Sequence, residues 1–280
     1  MRLATLTVLA WWLCGAVAAS KVMNLPVESK FEVVGEVPVE DPACVEGLMY
    51  HDGALYQSNG WYGESAVLRV NVESGVSDKR YDLHERVFAE GLAFVDGVFY
   101  QLTYREQKAF LYKENRTGFE LIDTRSYRSS EGWGLATDGK LLIMSDSSAE
   151  LTFIDPQTWR EAKRVTVRDA KGEPLAWINE LEWVNGRLLA NHWLSQELLV
   201  INPDSGAIEE YFDVAQLNPP QTPACKCRCG PPTANGIAYD AAGDRLWITG
   251  KDWEAYYEVR LTFADGSVVG GGGGSGRSDK

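Results

Sequence analysis

The run Glu90-Gly91-Leu92-Ala93-Phe94-Val95-Asp96-Gly97-Val98-Phe99-Tyr100 decides the fold, because it sets two apolar stretches on either side of an Asp-Gly pair. A two-residue hairpin turn needs positive φ at both central positions, which Asp-Gly and Asn-Gly tolerate. The pattern recurs along the chain. Glu46-Gly47-Leu48 is followed by Asp52-Gly53, Trp133-Gly134-Leu135 by Asp138-Gly139, Asn179-Glu180-Leu181 by Asn185-Gly186, and Asn235-Gly236-Ile237 by Gly243. Successive anchors Leu48, Leu92, Leu135, Leu181 and Ile237 stand 44, 43, 46 and 56 residues apart, the spacing of a repeated supersecondary unit.

Each repeat reads as strand, tight turn, strand, loop, strand, loop, strand; in the second these fall at 91–95, 98–104, 108–113 and 119–127. Four antiparallel strands per repeat of this length describe a propeller blade, so the sequence predicts an all-β, five-bladed β-propeller. The last repeat supplies strands only at 237–240, 245–249 and 256–263. Its fourth strand is expected from 31–39, ahead of the first repeat, which would close the ring and leave no long open edge. Residues 264–280, with the glycine run 270–274, are expected to form a flexible tail. The propeller domain is placed at 20–263.

Residues 1–19 combine Arg2, an apolar run and Gly15-Ala16-Val17-Ala18-Ala19, the order of a secretory signal. No later segment is long and apolar enough to span a bilayer, so a secreted or secretory-pathway protein is expected, periplasmic if the source is bacterial, with no membrane partner. Removing the leader takes Cys14 and leaves Cys44, Cys225, Cys227 and Cys229, an even number in an oxidising compartment. Three of them lie in a proline-rich interruption at 213–234. Zinc sites usually show two-residue spacers and a nearby fourth ligand, which this cluster lacks. Closure of the ring brings Cys44 toward it, and one bridge from Cys44 into the cluster is expected. Asn115-Arg116-Thr117 is a glycosylation sequon.

The chain has 280 residues, 45% of them hydrophobic, enough for a substantial core. A formal charge of −13 argues against a nucleic-acid partner, which clustered Lys and Arg would have to bind, and suits a cationic ligand. Several of the ten Trp fall outside apolar runs, which points to exposed or cavity-lining aromatics. A monomer is expected.

First strands of propeller blades line the central channel, so equivalent positions form rings of side chains. Two residues before each anchor stand Glu46, Glu90, Trp133, Asn179 and Asn235, all able to hydrogen-bond. Neighbouring carboxylates at one depth raise one another's pKa. A second ring, from the ends of the second strands, reads Gly60, Tyr104, Asp146, Trp193 and Lys251. Together they describe a pocket with aromatic walls, a lysine and a carboxyl held near neutral pKa, as proton transfer requires. Two structural readings compete: Glu90 as an ordinary residue at the mouth of a strand, and Lys251 paired with Asp146 as a buried ion bridge.

Phe88-Ala89-Glu90-Gly91-Leu92, Gly132-Trp133-Gly134-Leu135-Ala136-Thr137-Asp138-Gly139, Asn179-Glu180-Leu181-Glu182-Trp183, Ala190-Asn191-His192-Trp193, Asn235-Gly236-Ile237-Ala238-Tyr239 and Thr249-Gly250-Lys251, together with Gln101-Leu102-Thr103, occur in that relative order along the chain. Over residues 31–263 the sequence resembles the plant and bacterial type of glutaminyl cyclase. The resemblance implies a five-bladed propeller that converts N-terminal Gln of peptides or proteins to pyroglutamate with release of ammonia. It implies Glu90 as acid/base, and Phe88, Trp133, Asn179, Trp193 and Lys251 as pocket residues. Glu46 and Tyr104 join the expected substrate-binding set. Here the chain departs from the family pattern: Cys44 replaces an aromatic wall, Glu46 a neutral amide and Tyr104 a tryptophan.

No cofactor is expected to be required. His51, His84 and His192 lie in different blades without paired spacing, which makes a zinc-dependent mechanism improbable. Glu46, Glu90 and Asn235 are hard donors, and a structural cation in the channel stays open as an alternative. Two other readings compete: a calcium-dependent, lactonase-like propeller hydrolase using the same Glu and Asn ring, and a secreted, non-enzymatic binding propeller.

Overall fold

The computed structural model describes residues 24–217 and 230–272. The leader 1–19, the cysteines Cys225, Cys227 and Cys229 with the bridge expected from Cys44, and the tail beyond 272 lie outside the described residues. Strand β1 (Lys30–Pro38) precedes the first blade, formed by β2 (Val45–His51), β3 (Ala54–Asn59), β4 (Ala66–Asn71) and β5 (Ser77–Asp82). The second blade is β6 (Ala89–Val95), β7 (Val98–Thr103), β8 (Lys108–Asn115) and β9 (Gly118–Ser126), and the third β10 (Leu135–Thr137), β11 (Leu142–Met144), β12 (Glu150–Asp155) and β13 (Arg160–Thr166). The fourth blade is β14 (Ile178–Val184), β15 (Arg187–His192), β16 (Glu197–Ile201) and β17 (Ile208–Asp213). The fifth is β18 (Ala234–Asp240), β19 (Arg245–Gly250) and β20 (Ala255–Thr262), extended by β21 (Val268–Val269).

Each blade is an antiparallel meander, and the missing fourth strand of the last one is β1, which pairs with β20 from Lys30↔Thr262 to Pro38↔Ala255. The first strands β2, β6, β10, β14 and β18 touch one another cyclically around the axis. These features make a closed five-bladed propeller. Five apolar clusters fill the spaces between adjacent blades. One is Tyr56, Val67, Leu92, Phe99 and Tyr112 between the first and second; another is Leu48, Leu55, Ala238 and Trp247 between the fifth and first, with Val37 of β1 packed into it. Closure thus rests on burial as well as on strand pairing.

The turns follow the predicted chemistry in three blades. Asp52 and Gly53 have φ of 43° and 82°, Asp96 and Gly97 53° and 79°, and Asn185 and Gly186 48° and 86°. In the third blade Asp138-Gly139 sits in a longer loop, where Asp138 Oδ1 accepts from the Lys140 and Leu141 amides and only Gly139 takes positive φ. A side-chain acceptor there substitutes for the tight backbone turn.

The expectation of a flexible tail from 264 needs correction over its first part. Residues 264–272 pack on the fifth blade: β21 pairs with the end of β20, and Val269 is buried. Asp244 accepts from the Gly270 and Gly271 amides with its carboxylate and from Gly272 with its carbonyl. The glycines that suggested a linker are required by close approach, since a Cβ on Gly270 would stand 2.1 Å from Val259 O.

Candidate active site

Four of the five first strands break register at the ring position. Pairing shifts between Val45 and Gly47 in β2, Ala89 and Leu92 in β6, Ile178 and Leu181 in β14, and Ala234 and Ile237 in β18. A bulge re-aims the side chain it contains. Glu46, Glu90, Asn179 and Asn235 sit in these bulges. Trp133 lies just before β10, its carbonyl accepting from the Gly91 amide at 2.7 Å. The glycines that follow let the first strands meet at the axis: a Cβ on Gly47 would stand 2.8 Å from Leu92 N, and one on Gly91 2.3 Å from Leu135 N.

The ring residues form a polar chain. Lys251 Nζ lies 2.6 Å from Glu46 Oε1, Asn235 Nδ2 donates to Glu46 Oε2 at 2.9 Å, and Asn179 Nδ2 donates to Asn235 Oδ1 at 2.9 Å. Lys251 therefore pairs with Glu46. Asp146, the alternative partner, accepts from Ser129 and Ser148 hydroxyls instead. Of the oxygens a channel cation would use, those of Glu46 and Asn235 Oδ1 are engaged by these donors, while the Glu90 carboxyl is not. Among the described residues no group of three or more His, Cys, Asp or Glu side chains is arranged to hold a metal ion.

Glu90 differs from its neighbours. It is 5% exposed, and among the described residues its carboxyl has no hydrogen-bond partner. Burial raises this carboxyl well above the usual carboxylate range and the Glu46 charge adds to the rise, while Lys251 opposes it and Glu131 and Glu106 raise it further. Burial raises Glu46 as well, but there Lys251 and Asn235 pull it back.

Two groups of aromatic rings adjoin the ring residues. On one side Phe88 packs against Tyr104 at 5.5 Å, Tyr62 at 5.5 Å and Trp61 at 6.0 Å between centroids. On the other, Trp193 meets Trp133 edge-on at 5.6 Å and Trp177 at 5.5 Å. Gly60 is glycine for a reason, because a Cβ there would stand 2.5 Å from the Phe88 ring and 2.7 Å from Glu46 Cγ. At the rim, Arg105 donates to Glu131 Oε1 through Nε at 3.1 Å and Nη2 at 3.0 Å, and the Trp133 indole donates to Glu131 Oε2 at 3.2 Å.

The structure thus brings together Glu46, Phe88, Glu90, Tyr104, Trp133, Asn179, Trp193 and Lys251, and leaves Asp146 aside. Sequence reasoning missed Trp61, Tyr62 and Trp177, which complete the walls from loops. Trp61 and Trp177 take φ of 83° and 69°, a conformation that sequence pattern alone does not announce. Glu180 was missed as well. It stands where the four other repeats have glycine, is fully buried, and accepts from the Leu48 amide at 3.2 Å across the axis. Burial and the nearby Glu182 raise its carboxyl well above the usual range, while the Leu48 and Ile237 amides oppose the rise. The histidines stand apart: His192 is buried against Ala176 O, His51 stacks on Phe94, and His84 accepts from the Arg86 amide.

Residues 5–261 match the model of a family described as glutamine cyclotransferase. A glutaminyl-peptide cyclotransferase of Arabidopsis thaliana is 31% identical over 234 residues, 83% of this chain and 72% of the relative. The crystal structure of Myxococcus xanthus glutaminyl cyclase superposes with a TM-score of 0.73 at 32% identity, covering 84% of this chain and 98% of that one.

Proposed function

The chain belongs to the glutamine cyclotransferase family and is an enzyme of the glutaminyl-peptide cyclotransferase class, and from that premise we propose that Glu90 is its acid/base. Its substrates are peptides or proteins that begin with Gln, which it converts to pyroglutamate and ammonia. The observation that supports the role of Glu90 is its isolation, a buried carboxyl without a hydrogen-bond partner among the described residues.

The substrate carries both reactants, so the enzyme has to fold the Gln side chain onto its own amine and keep water out. Phe88 and Tyr104 on one side and Trp133 and Trp193 on the other restrict that side chain to a folded form. The α-amine nitrogen attacks the side-chain amide carbon, forming the ring C–N bond and pushing charge onto the amide oxygen. Glu90 takes the proton from the attacking amine and delivers it to the amide nitrogen, which leaves as ammonia when the oxyanion collapses. Asn179 has a second amide hydrogen beyond the one given to Asn235, and it is suited to hold that oxygen. The Trp133 indole is already spent on Glu131. The route calls for no metal, because the nucleophile needs deprotonation and the leaving group protonation, both served by one carboxyl.

Incubation of the purified protein with a Gln-initiated peptide, with and without chelator, tests this by mass spectrometry. Loss of ammonia in both arms is expected. Loss only without chelator would favour metal chemistry, and no product in either arm would favour a binding propeller.

A further inference from the structure

Both oxygens of Glu46 are committed inside the protein, Oε1 to Lys251 Nζ at 2.6 Å and Oε2 to Asn235 Nδ2 at 2.9 Å. The side chain is 1% exposed and pressed against Gly60, so it has no room to turn toward the mouth. Resting on the reading of Glu90 above, we propose that Glu46 is a positioning residue that commits the Lys251 ammonium to itself, so that Glu90 stands without a counter-charge until the substrate's α-ammonium supplies one.

The charged and titratable groups that face Glu90 support this. They are Glu46 from β2, Lys251 from the loop after β19, Glu106 from the loop after β7 and Glu131 from the loop before β10. The phenols of Tyr62, Tyr104 and Tyr127 complete the set. The two cations at the site are both taken, Lys251 by Glu46 and Arg105 by Glu131. The consequence is chemical. A free Lys251 would hold Glu90 ionised and make it a weak base toward an ammonium group. With the lysine committed, transfer of one proton from the substrate ammonium to Glu90 gives a neutral amine beside a protonated carboxyl, the nucleophile and the acid that cyclisation needs. No charge is left stranded, since Glu46 and Lys251 neutralise each other throughout. Glu46 acts through these groups without touching the substrate.

The test is the pH profile of kcat/KM for a Gln-initiated peptide. In Glu46→Gln the lysine is released, and the enzyme's acid limb should move down by about one unit or more, the usual reach of a nearby charge on a carboxyl. The limb set by the substrate amine should stay. Glu46→Asp keeps the charge and should leave the acid limb in place, whatever its rate. A limb unmoved in Glu46→Gln, or moved alike in both variants, overturns the proposal, because a purely structural residue would lower the rate evenly across pH. The difference infrared spectrum of wild type against Glu90→Gln reads the same question without altering Glu46. The protonated-carboxyl band assigned to Glu90 should persist to higher pH in the free enzyme than with a peptide bound whose N-terminal residue cannot cyclise, because the bound ammonium displaces the carboxyl proton, and a band that titrates at the same pH with and without that ammonium overturns the proposal. The underlying reading fails separately, if wild type forms no pyroglutamate or Glu90→Gln keeps its rate.

Discussion

Replacing Glu90 by glutamine keeps the side chain's shape and removes its proton, and two independent effects follow. General acid–base catalysis contributes about 10²–10⁴-fold, so kcat/KM should fall by that factor, roughly 3–5 kcal/mol in the barrier. Stability should move the other way. In the unfolded chain a glutamate titrates near ~4.3, whereas burial and Glu46 hold the folded carboxyl well above that. Below the unfolded value both states bind the proton and the group contributes no pH dependence. As pH rises from there, the unfolded state releases its proton while the folded state keeps it, and wild type loses about 1.4 kcal/mol per pH unit until the folded pKa is passed. Glutamine carries no such penalty. The stability difference between Glu90→Gln and wild type should therefore grow in the variant's favour from about pH 4 upward and then level off. Urea denaturation over a pH series, with peptide turnover measured on the same preparations, gives both quantities. A variant that keeps near wild-type turnover refutes the acid/base role. A stability difference that is flat with pH, or that turns toward wild type, refutes the claim that Glu90 is buried without a compensating partner.

Gly91→Ala should destabilise the fold by about 1–3 kcal/mol, the usual cost of overpacking, because its Cβ would meet Leu135 N at 2.3 Å. Denaturant titration checks it, and an unchanged midpoint would show that the blades can part at the axis. Deleting residues 264–280 should lower Tm by several degrees, since Val269 leaves a buried position and Asp244 loses its amide partners. A truncated protein that melts with the full chain would show that β21 adds nothing. Trp193→Ala removes half of one aromatic wall and should raise KM for a Gln-initiated peptide more than it lowers kcat. Steady-state kinetics in which kcat alone falls would place Trp193 elsewhere in the reaction.

Periodicity revealed the blade count because three hairpin turns set an Asp-Gly or Asn-Gly pair at positive φ, and four of the five anchors follow a glycine that the crowded axis demands. The closing strand was legible for a different reason: residues 31–39 had strand character and no partner, while the last repeat lacked a strand. Side-chain pairing was not legible. Whether Lys251 meets Asp146 or Glu46 depends on which way a bulge turns each side chain, and a bulge leaves no pattern in composition. The same limit hid Trp61 and Trp177, loop aromatics whose left-handed backbone leaves no pattern in composition. The glycines at 270–272 misled because a flexible linker and a strand packed too close for a Cβ use the same residue.

The bulges also explain why one position in four of the blades could diverge while the rest repeated. A residue inside a regular ladder is constrained by its cross-strand partner, but at the register shifts before Gly47, Leu92, Leu181 and Ile237 that constraint lapses. What constrains Glu46, Glu90, Asn179 and Asn235 instead is one another, across the axis. Each change in this ring must be answered within the ring, since its members are buried and no strand partner compensates. An acidic side chain at 46 is answered by Lys251 and Asn235, so the second carboxylate is absorbed locally and Glu90 is left alone. Glu180 follows the rule only in part: among the described residues its Oε1 accepts from the Leu48 amide of the first blade, while its Oε2 is buried without a hydrogen-bond partner. The fold holds the ring in place without dictating its contents, and the chemistry lies in how those contents balance.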